Sequence, residues 1–136
     1  MPRTLEARVD QTSATAGQGT ARTHRIIIDR PLEKGGTDRG PLGGELLLLS
    51  LGGCFLSNLL AAVSSRSADV SNIRVAVTAT IGGIPERVEA MEMRVTAKFS
   101  DSELMRKLVA IAERGCLVTN TLRTALDITI VLERED

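Results

Sequence analysis

Aromatic residues are nearly missing from this chain: it has no Trp and no Tyr, and Phe55 and Phe99 are the whole set. A surface that stacks nucleic-acid bases therefore has almost nothing to stack with. An excess of either charge is missing too, since Lys+Arg and Asp+Glu each number 17. Nucleic-acid binders usually carry a basic footprint, so no nucleic-acid partner is expected. His24 is the only histidine, and with two cysteines it cannot complete four zinc ligands. No metal and no cofactor are expected. Cysteine is equally sparse: Cys54 and Cys116 lie far apart, without a CxxC pair or a dense pattern. That excludes a disulfide-stapled secreted scaffold and makes the cytoplasm the default compartment. Met1 to Asp10 alternates and carries charge, unlike the apolar core of a secretory signal.

What remains is the composition of a folded domain, 43% hydrophobic and 25% charged, in 136 residues. That suits a single domain over 1–136. The apolar stretch from Leu46 to Val63 reaches the lower length limit for a membrane span. It is broken by Ser50, Gly52, Gly53, Ser57 and Asn58 and has no Trp or Tyr at its ends. Strands of period two follow it and need a core, so a buried helix in a protein without a membrane partner is expected.

Along the chain, Leu5, Ala7 and Val9 alternate with charged residues and predict a half-buried strand. Residues 11 to 19 read as a loop, and Thr20 to Asp29 as one strand ended by Arg30-Pro31. A glycine-rich loop from Leu32 to Gly44 leads into the apolar helix, Gly44 to Ser67. The Gly52-Gly53 pair inside that helix implies a close backbone neighbour or a kink. Ile73 to Ile81 and Met91 to Phe99 form the two arms of an antiparallel hairpin turning at Gly82 to Pro85. Ser100-x-x-Glu103 reads as a capping box, opening a helix with Leu104, Leu108, Ile111 and Ala112 on one side. Gly115 is expected to stop it as a C′ residue. A short helix to about Ala125 and a last strand with Leu126, Ile128, Ile130 and Leu132 facing the core complete an α+β order.

Neither cysteine by itself singles out a function. Cys54, between Gly53 and Phe55 in an apolar helix, reads as a small buried hydrophobe. Cys116 lies at a junction of two helices, where amides of the next turn can stabilise a thiolate, although a structural role is as open.

Two motifs carry a resemblance. GGTDRGPLGGELLLLSLGGC, from Gly35 to Cys54, and AERGCLVTNTL, from Ala112 to Leu122, together resemble the OsmC/Ohr family, closer to its OsmC-like branch. The similarity runs through nearly the whole chain. It implies antiparallel sheets packed around a long buried central helix in an intertwined homodimer. It further implies a thiol-dependent peroxidase for organic hydroperoxides. Cys54 would be the peroxidatic thiolate, Cys116 the resolving thiol, and an external dithiol the reductant. The family's activating arginine corresponds best to Arg30, with Arg39 second. Its glutamate falls at Gly44 or Glu45, where Glu45 can equally be a stabilising acid at a helix start. The hairpin-loop arginine of the Ohr branch has no counterpart in residues 11 to 19. The same resemblance therefore also admits a non-catalytic, small-ligand-binding member. His24 is expected on a strand surface, and Asn58 and Asn120 as packing or capping groups.

Overall fold

The computed structural model describes residues 1–135. The chain forms two compact units, residues 1–49 and residue 50 onward.

The first unit is built on a three-stranded antiparallel sheet: β1 (Arg8–Gln11), β2 (Gly17–Ala21) and β3 (His24–Ile28), in the order β1-β2-β3. The expected single strand from Thr20 to Asp29 is thus two strands. Arg22-Thr23 turn the chain between the paired Ala21 and His24, with Arg22 in the left-handed region at φ 55°. The expected strand at Leu5 begins only at Arg8, and Leu5 and Val9 are exposed rather than half-buried. After β3 comes a single 3-10 turn, Leu32–Lys34, closed by Gly35 at φ 86°. At Gly40 a side chain would collide with the carbonyl oxygen of Ile27, so the loop can lie against β3 only because this residue has none.

Helix α1 is Gly43–Ser65. It starts with half of a capping box: Glu45 Oε1 accepts the Leu42 amide at 2.8 Å, answering an amide that no helical carbonyl reaches. By length and composition α1 would be able to cross a membrane.

In the second unit, β4 (Val70–Gly82) and β5 (Arg87–Phe99) make a long antiparallel hairpin, with Val75 opposite Val95 and Val77 opposite Met93. Alternate residues are sheltered, so one face is apolar and the other solvated. Helix α2 (Ser102–Gly115) turns Met105, Leu108 and Ala112 inward. With Phe55, Leu59, Ala62 and Cys116 they form one apolar cluster, in which Leu59, Leu108 and Cys116 are fully enclosed. Gly52 lets α1 approach the hairpin: a Cβ there would stand 3.0 Å from Val77 Cγ2, while Gly53 faces open space. The close neighbour is a side chain, not the backbone expected from the glycine pair.

Three expectations need correction. Burial of α1 on every side is not met in the single chain, where only Leu51, Gly52, Phe55, Leu59 and Ala62 are buried, because hairpin and α2 form a cluster with one face alone. The cap of α2 is Asp101, whose Oδ1 accepts the Leu104 amide at 3.0 Å; Ser100 lies one residue too early. No strand forms from Leu126 to Leu132; these residues are exposed, because their alternation pairs with no edge of either sheet among the described residues and a lone period-two segment has no ladder to hold it.

Candidate functional site

Cys54 and Cys116 come together in the second unit. Phe55, Leu59 and Ala62 recur at helical spacing and bury one stripe of α1, and Cys54 flanks that stripe, half-buried against the cluster. Cys116 arrives from the other end of the chain, at the elbow where α2 ends and α3 (Leu117–Leu122) begins. Its backbone is extended, at φ −76° and ψ 109°, and breaks the helix there. Gly115 remains the last helical residue and is not the left-handed stop expected of it.

The elbow is held by groups that answer the open carbonyls at the end of α2. Glu113 accepts the Cys116 amide at 3.3 Å. Arg114 accepts Asn120 Nδ2 at 3.1 Å, and Ala112 accepts Asn58 Nδ2 at 3.4 Å. Asn58 lies one turn beyond Cys54 on α1, so it ties the two cysteine-bearing elements together. Both asparagines are capping groups, as expected.

The Cys116 sulfur is wholly enclosed and accepts the Thr119 amide at 3.5 Å. Burial pushes its thiol up. Against that act the Thr119 hydroxyl and amide, the Cys54 thiol and the Val118 amide, and the net result lies below the usual value. Cys54 packs against the cluster that encloses Cys116, and both cysteines are free. Thr119 Oγ1 is buried and makes no well-formed hydrogen bond in this thiol state. A thiolate is a stronger acceptor than a thiol, so this hydroxyl is a donor held ready for the anion.

Arg30, Arg39 and Glu45 all sit in the first unit. Arg30 and Arg39 are exposed, and within that unit neither guanidinium pairs with a carboxylate. Glu45 is engaged by the Leu42 amide, the helix-start role that the sequence left open. His24 is an exposed residue of β3.

Sequence reasoning missed Asp29. It is 3% exposed and organises the glycine-rich loop, with Arg30 just before it and Arg39 within it. Oδ1 accepts the Arg30 amide at 2.7 Å, and Oδ2 accepts the Thr37 hydroxyl at 2.6 Å and the Thr37 and Arg39 amides at 3.2 Å each. The Thr37 hydroxyl is the strongest influence and pulls the carboxyl far below its ordinary range. Burial opposes it, and the Arg30 and Arg39 amides and the Thr15 hydroxyl assist. The available signal was an acid at the end of a β-branched run, directly before a loop whose backbone amides need acceptors.

The OsmC-like protein family model matches residues 36–131. The chain belongs to the OsmC-like family. Solved structures share its fold. An OsmC-like protein from Mycoplasma pneumoniae has a TM-score of 0.78 at 15% identity, over 90% of this chain and 89% of that one. An organic hydroperoxide resistance protein from Elizabethkingia anophelis has a TM-score of 0.69 at 20% identity, over 90% of each chain. An organic hydroperoxide resistance protein OsmC from Legionella pneumophila has a TM-score of 0.68 at 15% identity, over 89% of this chain and 90% of that one. No curated protein matches. The α+β fold with antiparallel sheets expected from the sequence is thereby that of OsmC-like structures.

Proposed function

We propose that this OsmC-like protein is a thiol-dependent peroxidase for organic hydroperoxides. The observation that carries the reading is that Cys54 and Cys116, both free, share one apolar cluster, the first half-buried and the second enclosed. The Cys54 thiolate attacks the distal oxygen of the hydroperoxide, the O–O bond breaks, and the alcohol leaves. Cys54 is then a sulfenic acid. Cys116 attacks that sulfur, water leaves, and a Cys54–Cys116 disulfide results. An external dithiol restores both thiols by exchange. The likeness to organic hydroperoxide resistance proteins from Legionella and Elizabethkingia supports a hydroperoxide substrate, and the apolar residues around Cys54 favour an organic one. Arg30 is the first candidate for the cation that activates Cys54, and Arg39 the second.

A cytoplasmic homodimer is part of the proposal. Leu49 and Leu60 on α1 and Leu126, Ile128, Ile130 and Leu132 near the C-terminus are exposed in the single chain. A second copy, rather than lipid, covers them in this reading.

One observation favours the second reading, a non-catalytic protein that binds a small ligand. Glu45 is committed to the start of α1, which weakens its assignment to an arginine. Alkylation separates the two. In a peroxidase one equivalent of cumene hydroperoxide protects Cys54 from iodoacetamide, whereas an inert thiol is alkylated equally with and without the peroxide.

A further inference from the structure

The exchange step that regenerates the enzyme has a direction, and the elbow around Cys116 sets it. We propose that the reductant attacks the disulfide at Cys54, and that Cys116 departs as a thiolate received by Thr119. This rests on the disulfide proposed above.

Exchange requires an incoming thiolate to reach one of the two sulfurs in line with the S–S bond. Cys116 is 0% exposed within its own chain, and any further copy can only cover it more. Cys54 is half-buried, the less enclosed of the two residues. The leaving sulfur needs donors, because an enclosed anion without partners is costly. Cys116 has them on its own element: the Thr119 amide at 3.5 Å and the buried Thr119 hydroxyl, which spends its proton on no other acceptor.

The step balances. The thiolate of the external dithiol bonds to Cys54 Sγ, the Cys54–Cys116 bond breaks, and its electron pair goes to Cys116 Sγ. The second thiol of the same reductant, as thiolate, then displaces Cys54 and closes the reductant's own disulfide. The two protons lost by the dithiol end on the two enzyme sulfurs.

The test begins with full-length protein oxidised by cumene hydroperoxide, or by diamide if the hydroperoxide does not react. The first arm judges the peroxidase reading, whereas the second judges only the exchange. The oxidised protein meets limiting 2-mercaptoethanol and is quenched in acid, unfolded and alkylated, and the adducts are located by peptide mass. The proposal expects mercaptoethanol on Cys54 and the alkyl group on Cys116. The reverse pattern, an even distribution, or failure of both oxidants to join the cysteines overturns it. Thr119→Val is expected to slow the opening about tenfold, with a steeper loss at lower pH, and Thr119→Ser to restore it. Equal slowing by both variants would reduce Thr119 to a packing residue and overturn its part in the proposal.

Discussion

The two units of this molecule are held by different forces. Around Asp29, in the first unit, one buried carboxylate gathers amides and hydroxyls of a loop that contributes little apolar surface. Around Leu59 and Leu108, in the second, apolar side chains close on one another and leave Cys116 without access to water. The first arrangement fixes a glycine-rich loop that hydrophobic packing has no means to fix. The second creates an enclosed setting in which a few donors decide where a thiolate is tolerated. The contrast predicts that the first unit answers to pH and the second to volume.

The largest effect expected is in the second unit. Leu108→Ala removes a fully enclosed side chain and should cost about 2–5 kcal/mol in denaturant unfolding, with little dependence on pH. A marked pH dependence of that loss would break the comparison.

Asp29→Asn comes next and should behave in the opposite way. The folded carboxyl lies below its ordinary value of 3.8, so its contribution is full above that pH. It is lost as pH falls through 3.8 towards the depressed folded value. The variant should therefore melt earlier than wild type near neutrality, and the difference should shrink on acidification. A gap that stays constant down to strongly acid pH would remove Asp29 as the organiser of its loop.

The smallest effect belongs to Asp101→Ala, which deletes the cap of α2. It should cost about 1 kcal/mol, and Asp101→Asn or Asp101→Ser should recover most of it. Recovery by Ser shows that the capping oxygen, not the charge, is what counts.

Much of the fold was legible because its main elements announce themselves locally. The apolar run that became α1, the alternation of Ile73, Val75 and Val77, and the stripe of Leu108 and Ala112 each follow one period. The β2–β3 hairpin was hidden because its turn is Arg22-Thr23, without glycine, asparagine or proline to mark it. The cap of α2 was misplaced because Ser100, Asp101 and Ser102 are three adjacent candidates, and only geometry chooses among them. Leu126 to Leu132 alternate like a core-facing strand but form none, because a pattern does not supply the strand that would pair with it. At the site, the elbow at Cys116 and its amide donor were legible from the helix junction. The hydroxyl of Thr119 was not, since a threonine in a polar turn looks the same whether it faces water or sulfur.

The central claim is that Cys54 and Cys116 act as one peroxide-reducing pair. Its most direct test is a single turnover of reduced protein with stoichiometric cumene hydroperoxide, counting peroxide and free thiols together in wild type, Cys54→Ser and Cys116→Ser. The account predicts one peroxide lost per two thiols in wild type, none in Cys54→Ser, and a sulfenic acid that dimedone traps in Cys116→Ser. A folded wild-type protein that leaves both peroxide and thiols untouched would contradict it.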